Sequence, residues 1–462
     1  MTSWLPHLAG DRPRYIAIAD AIADALASGK LTNGDRLPPQ RELAWRLGVT
    51  VGTVTRGYQE AERRGLLSGE VGRGSYLRDP AQRRVGLPSI AGEEPGVLNM
   101  QVAAPPRVQT SEDLDAALDE LKATAGRLSL LEYGPSVGAL AYRQMGSAWL
   151  NKCNVDVEPN RVVVTAGAHA ALIACLSMIT RPQDHLLAEC LTYPTILPIA
   201  RALGLQLNAV EMDQHGVIPA SLEAALRHCE ARVLYLVPTL HNPTTVTLSA
   251  ERREEIAAIA RRHDITVIED DIFCLLAEEQ LPTIFSFAPE RTYYITSLSK
   301  TLAPGLRMGF VATPPGLAEN LGLQQMIMGA RIVGLAAEVA RSWIAGGTAD
   351  RHLRDIRTEL ALRRRISLDV LGKHNPSCTP GSIFLWLPLP DHWRGSEFVG
   401  AAQAQGLKVT PGSAFAVGRR VNDQAIRVCF GLVETRDALK DGLKRLEHLL
   451  GETPGQNFRA LA

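Results

Sequence analysis

The sequence carries no net charge: 49 Lys+Arg balance 49 Asp+Glu among 462 residues. Bulk charge therefore gives no reason to expect nucleic-acid or membrane binding, and any such contact must come from a local patch. The first 78 residues hold eleven Lys+Arg against eight Asp+Glu, a surplus too mild to decide anything. Seven cysteines are scattered with no CxxC pair and no framework spacing. That excludes a disulfide framework; reduced thiols in a cytoplasmic protein are expected, and no metal site. The N-terminal MTSWLPHLAGDRPRY lacks the apolar run of a signal peptide. The longest weakly polar run, VVVTAGAHAALIACLSMI at 162–179, approaches a membrane span in length, but Thr165, Gly167 and His169 interrupt it early. A buried strand followed by a core helix is expected there instead, and no membrane partner. There is no internal repeat.

A hydrophobic fraction of 46% over this length predicts two or more globular domains. Tyr15, Ile18, Ile22 and Leu26 recur at helical spacing, and Gly29 is placed to end that helix. RELAWRLGV is a second short helix turning at Gly48. Thr50 is placed to cap a third, which carries Val54, Tyr58 and Ala61 inward. LLSGEVGRGSYL has a Gly-rich middle between two β-prone arms. Three helices and a hairpin over 1–78 predict a winged helix-turn-helix. Residues 79–98 read as a linker of Pro, Gly and charge, able to reach roughly 65–70 Å when extended. From 99 to 462, VVVTAG, HLLAE, VLYLVP, TVIED and TYYITS alternate with helical patterns such as ERREEIAAIARRH. That is an α/β pattern with a mostly parallel sheet. The polar signals cluster where these strands end, which is where such sheets bind ligands.

One loop concentrates chemistry. SLSKTLAPGLRMGF, 297–310, rings Lys300 with Ser297, Ser299 and Arg307. Two hydroxyls and a guanidinium fork suit a phosphate, and Gly305 and Gly309 let the backbone approach it. TAGAHAAL opens a helix at Ala168 and His169, whose free N–H groups favour the same anion. A lysine does covalent work only with a carbonyl partner, and pyridoxal 5'-phosphate supplies one as a Schiff base. That cofactor needs a carboxylate at its ring nitrogen, for which Asp270 in TVIEDDIF is chosen over Asp271. It needs a donor at the ring oxygen, for which Asn242 in LHNPTT serves, and a cover for the ring face, for which Tyr193 serves.

From about 99 onward the chain resembles fold type I aminotransferases of class I and II, on SLSKTLAPGLR, EDD, HNPT and AIRVCFG. The resemblance implies a small C-terminal α+β subdomain, Lys300 and Asp270 as catalytic groups, and Arg427 as the ligand for a substrate α-carboxylate. It also implies a homodimer in which Tyr133 reaches the neighbouring subunit's phosphate. GDRLPPQRELAWRLGVTVGTVTRGY resembles the GntR-type winged helix, and the two halves together resemble MocR-type regulators. Operator DNA, contacted through Arg41, Thr50, Thr53, Arg56 and Arg73, and an amino acid or amine effector are the implied partners. Phe273 stands where the family often has a tyrosine, Thr245 replaces a glycine, and Val51 replaces a basic residue. The first two imply weak or absent transamination.

Overall fold

A computed structural model describes residues 4–6, 13–32, 35–63, 66–70, 74–77, 96–124, 127–418 and 423–453. The chain divides into two compact units, Met1–Ser89 and Ile90–Ala462. Most of the linker, and Arg73 with the middle of the hairpin, lie outside the described residues.

In the first unit, α1 (Arg14–Ala27), α2 (Gln40–Leu47) and α3 (Val51–Arg63) precede an antiparallel pair, β1 (Leu67–Glu70) and β2 (Gly74–Leu77). Ile18 and Ile22 of α1 are fully buried against Leu43, Val54, Tyr58 and Ala61. The two helices α1 and α3 meet at Gly57, where an added Cβ would stand 2.9 Å from the Ile18 side chain. Gly48 ends α2 in the left-handed region at φ 63°, which a glycine adopts at little cost. The Thr50 hydroxyl then accepts from the Thr53 N–H at 3.2 Å, the expected cap. Tyr58 buries its ring and donates its hydroxyl to the Pro38 carbonyl at 2.8 Å.

The second unit is built on a seven-stranded sheet in the order Val162–Thr165, Gly309–Ala312, Thr292–Ser297, Thr266–Asp270, Ala231–Leu236, His185–Glu189, Gln206–Val210. Only Gly309–Ala312 runs against the rest. The loop 298–308 before it is too short for a parallel crossover, so the strand returns antiparallel beside its predecessor. Thr292–Ser297 is buried along its whole length and Thr266–Asp270 from its second residue on, because helices cover both faces. The run at 162–179 is a strand followed by the helix Ala168–Ile179, and no helix among the described residues is long and apolar enough to cross a membrane.

After the long helix Thr348–Leu371, a smaller antiparallel sheet orders Phe384–Pro388, Ala425–Cys429 and Thr410–Pro411, and the helix Arg436–Leu450 packs on Thr348–Leu371. Its apolar core is continuous with that under the large sheet. Leu98–Asn99, the entry to this unit, pairs in parallel with Leu407–Lys408. Cys153 and Cys274 are brought side by side, with Cα atoms 6.0 Å apart, a pairing that the scatter of cysteines along the sequence did not suggest. Their sequence separation of 121 hid a neighbourhood that only the packing of the helix Leu140–Asn151 creates.

Candidate cofactor site

Strand alternation separates the two adjacent aspartates. Side chains two apart on a strand share a face. Asp270 shares its face with Ile268, and Asp271 shares its own with Glu269. Glu269 accepts from the N–H groups of Ile284 and Phe285 at 2.9 and 2.8 Å and lies beside buried Arg253. Asp271 accepts from the Tyr294 hydroxyl at 3.2 Å. Asp270 instead accepts from the Tyr235 hydroxyl at 2.8 Å through Oδ2, while its Oδ1 is buried with no partner. Burial pushes the Asp270 carboxyl up to about 7 against that hydrogen bond, with Asp271 and Glu189 adding to the rise.

Lys300 stands just past the end of the neighbouring strand Thr292–Ser297. Its Nζ donates to the Ala103 carbonyl. The amine is lowered to about 8, chiefly by burial and also by Arg427 and Arg307, against the opposing pull of Cys429 and Asp270. Ser297 and Ser299 are buried on either side, and the Ser299 hydroxyl has no partner. Arg307 is held in the left-handed region at φ 47°, and its Nη2 donates to the Ala166 carbonyl at 3.5 Å. That guanidinium lies over Gly167, where a Cβ would stand 3.4 Å from Nη2. At Gly309 a Cβ would meet the Thr296 carbonyl at 2.8 Å, the Thr165 hydroxyl at 2.9 Å and the Ala168 N–H at 3.1 Å. The Ala168 and His169 helix start, the serines and Arg307 thus converge on one small cradle.

On the other side, Arg427 occupies the middle strand of the small sheet and is nearly fully buried. Its Nη1 donates to Asn242 Oδ1 at 2.8 Å and its Nη2 to the Gln101 carbonyl at 2.7 Å, leaving Nε buried without a partner. The guanidinium stacks at 4.8 Å on Phe415 and 5.6 Å on Phe384. Tyr193 is half-buried; burial raises its phenol, and Asp270, Arg427 and Arg307 all act on it electrostatically. The structure therefore brings Lys300, Asp270, Tyr193, Arg307, Arg427 and Asn242 into one site.

Tyr133 is not among them. It is 95% exposed, with the Arg331 guanidinium 5.4 Å from its ring centre. Phe273 is buried and meets Phe384 edge-on at 5.8 Å, so the position offers no hydroxyl. Thr245 takes φ 65°, unusual for a β-branched residue, and its hydroxyl is tied to Ser377 at 2.9 Å and Thr379 at 3.3 Å. A glycine would need neither tie. In the first unit Arg41, Thr50 and Arg56 are exposed and Thr53 is half-buried. Val51 opens α3 at 43% exposure.

Sequence reasoning missed Tyr235, Gln101, Ala103 and the buried Glu189–His241 pair, whose Oε2 and Nε2 are 3.4 Å apart. Tyr235 had a signal: a tyrosine inside an otherwise aliphatic buried strand must find a partner for its hydroxyl. The backbone carbonyls of Gln101 and Ala103 had none, since any residue carries one.

The residues fit pyridoxal 5'-phosphate on two counts visible here. An orphaned carboxylate oxygen on Asp270 awaits a donor such as a pyridinium, and a glycine-lined cradle with an unpartnered Ser299 hydroxyl awaits an acceptor such as a phosphate. A family profile described as aminotransferase class I and II matches residues 95–446. The chain belongs to this family. Pyridoxal 5'-phosphate is its cofactor, and the body is a fold type I domain. Residues 14–77 match the family of bacterial regulatory proteins called gntR, which makes the whole a MocR-type arrangement. YdeF of Bacillus subtilis (strain 168), named an uncharacterized HTH-type transcriptional regulator, is 29% identical over 451 residues, 97% of each chain. PtsJ of Salmonella typhimurium, named a vitamin B6 salvage pathway transcriptional repressor, is 28% identical over 408 residues, 87% of this chain and 90% of its own. The crystal structure of a multiple substrate aminotransferase from Thermococcus profundus is 25% identical and covers 78% of this chain and 92% of that one, with a TM-score of 0.70.

Proposed function

We propose that this chain is a transcriptional regulator that binds operator DNA through its winged helix and senses an amino compound, or the cofactor itself, through its aminotransferase-like body. The observation that carries this reading is the union of a gntR match at 14–77 with an aminotransferase match at 95–446 in one chain. Relatives bearing regulator names align over nearly its full length. We assign 1–78 to DNA binding, 79–98 to the linker and 99–462 to cofactor binding, in a cytoplasmic homodimer. The exposed Tyr133 lies among exposed Leu128, Leu131, Val333 and Leu335, an apolar surface suited to a second copy. Arg41, Thr50, Thr53, Arg56 and Arg73 face DNA; their phosphate contacts position the duplex and leave sequence choice to other atoms.

In the body Lys300 would hold the cofactor, with Asp270 toward its ring nitrogen, Asn242 toward its ring oxygen and Tyr193 against its ring face. Ser297, Ser299, Arg307 and the helix start at Ala168 and His169 hold the phosphate. Bound there, the cofactor supplies a carbonyl for amines and an electron sink. Arg427 meets the carboxylate of an amino acid, and its unpartnered Nε is a donor still free for that ligand. The carbonyls of Gln101 and Ala103, a few residues past the linker, are held by Arg427 and Lys300. A ligand at Arg427 or a cofactor at Lys300 would draw on the same side chains that hold these two carbonyls.

A second reading, a working aminotransferase with a DNA-binding head, draws on the same assembled set of Lys300, Asp270 and Arg427. A gel shift against the DNA upstream of its own gene, with and without pyridoxal phosphate, tests the first reading. Specific binding supports it. Absence of specific binding in both conditions, with turnover of an amino acid and a keto acid at ~1–10³ per second, supports the second.

A further inference from the structure

Behind the cofactor site lies a buried hydroxyl that none of the assigned roles uses. Tyr235 sits on the strand Ala231–Leu236, fully buried, in register with Ile268 of the adjacent strand. Asp270 lies two residues beyond Ile268, on the same face. The Tyr235 ring fills the apolar layer beside Ile268, Val233 and Ile295. Only its hydroxyl reaches a polar group, and that group is Asp270 Oδ2 at 2.8 Å. A phenol packed this way has one orientation, since its ring is fixed by neighbours on the close-packed sheet face. The carboxylate it holds is fixed in turn, with one oxygen satisfied and the other buried and unpartnered.

We propose that Tyr235 is the positioning residue of the cofactor site: it fixes the Asp270 carboxylate through Oδ2, so that Oδ1 alone is presented to the ring nitrogen and the carboxylate stays ionised opposite a protonated ring. This rests on the assignment of Asp270 to that nitrogen. The need for such a device follows from the surroundings. Burial above all, and with it Asp271 just past the strand end and Glu189 on the strand His185–Glu189, disfavour a negative charge on Asp270. Lys300 is the cation that favours it from the facing loop. Tyr235 and Tyr193 are the phenols nearby, both raised by burial and by Asp270, so neither becomes a competing anion. A charge-assisted bond from Tyr235 opposes the burial without adding a charge of its own.

The test uses the full chain loaded with pyridoxal phosphate, in wild type, Tyr235→Phe, Asp270→Asn and the double variant. The readouts are the cofactor dissociation constant and the pH at which ¹⁵N-labelled cofactor loses its ring proton. Tyr235→Phe is expected to weaken cofactor binding roughly 10–100-fold, the range for a hydrogen bond to a charged group. It is also expected to move the ring-nitrogen midpoint to lower pH, because the carboxylate opposite is less well stabilised. In the Asp270→Asn background the same change should add almost nothing, since an amide needs no help to stay uncharged. A purely structural role predicts the opposite, equal losses in both backgrounds and an unmoved midpoint, and that result overturns the proposal. The double variant buries no unpaired charge and keeps the comparison available should Tyr235→Phe alone fold poorly. In that event an unimpaired Asp270→Asn/Tyr235→Phe protein supports the proposal, and one as unstable as Tyr235→Phe alone overturns it. If Asp270→Asn itself leaves both readouts unchanged, the assignment of Asp270 fails independently of Tyr235.

Discussion

The winged helix and the cofactor body place their functional groups in opposite settings. In the first, Arg41, Thr50 and Arg56 stand in water around a small aliphatic core. In the second, Lys300, Asp270 and Arg427 are drawn into the interior, where burial lowers one, raises another and leaves donors and acceptors without partners. A surface built to meet a polyanion needs charges that remain charged. A site built to hold one small molecule needs groups whose protonation and direction are fixed by their surroundings. The two halves should therefore fail separately when altered.

The largest separation is expected at Lys300. Lys300→Ala should abolish borohydride trapping of the cofactor entirely while operator affinity without ligand changes less than about twofold, well within 1 kcal/mol. Trapping on another lysine would break the comparison on the body's side. Gly57→Val is the converse: side chains forced between α1 and α3 cost ~1–3 kcal/mol or more, lowering the melting of the first unit and its DNA binding. The visible spectrum of the cofactor should not move, and a loss of it would contradict units that fold separately. A smaller effect is a pH profile. Lys300 must be neutral to attack a carbonyl, and its value is depressed to about 8. The rate of cofactor attachment to the empty protein should rise as pH passes through about 8 and level above it. An ordinary lysine would keep climbing toward pH 10, and stopped-flow absorbance separates the two. The smallest is at the DNA face: Arg41→Ala and Arg56→Ala should each reduce the slope of log affinity against log salt by about 0.9.

The sequence made most of this legible where a residue type has few alternative uses. The SxSK loop and EDD at a strand end pointed to Lys300, Arg307 and Asp270 from residue chemistry, the family resemblance added Arg427 of AIRVCFG, and the fold brings the four together. The strands of the large sheet were legible from apolar runs, except Gln206–Val210 and Gly309–Ala312. The first is a half-exposed edge with a polar start, and the second is too short and glycine-led to stand out. The choice of Asp270 over Asp271 becomes physical only with the sheet in place, where period-two alternation sends one to the cofactor face and the other toward Arg253. Cys153 and Cys274 illustrate the limit, since their neighbourhood depends on packing across 121 residues of sequence, which leaves no local pattern.

The central claim is that the two halves communicate: occupancy of the cofactor site is read out at the DNA. A ligand that binds both states equally shifts nothing, so the claim requires a difference in affinity. The direct measurement is operator affinity at fixed salt for the cofactor-loaded protein, with and without each of a panel of amino acids and amines, in wild type and Lys300→Ala. The account predicts that at least one amino compound shifts wild-type affinity by about 5–150-fold, a coupling of ~1–3 kcal/mol, and that Lys300→Ala binds the operator but does not respond. Operator affinity unchanged by every ligand and by the cofactor itself, in a protein that binds both, would contradict it.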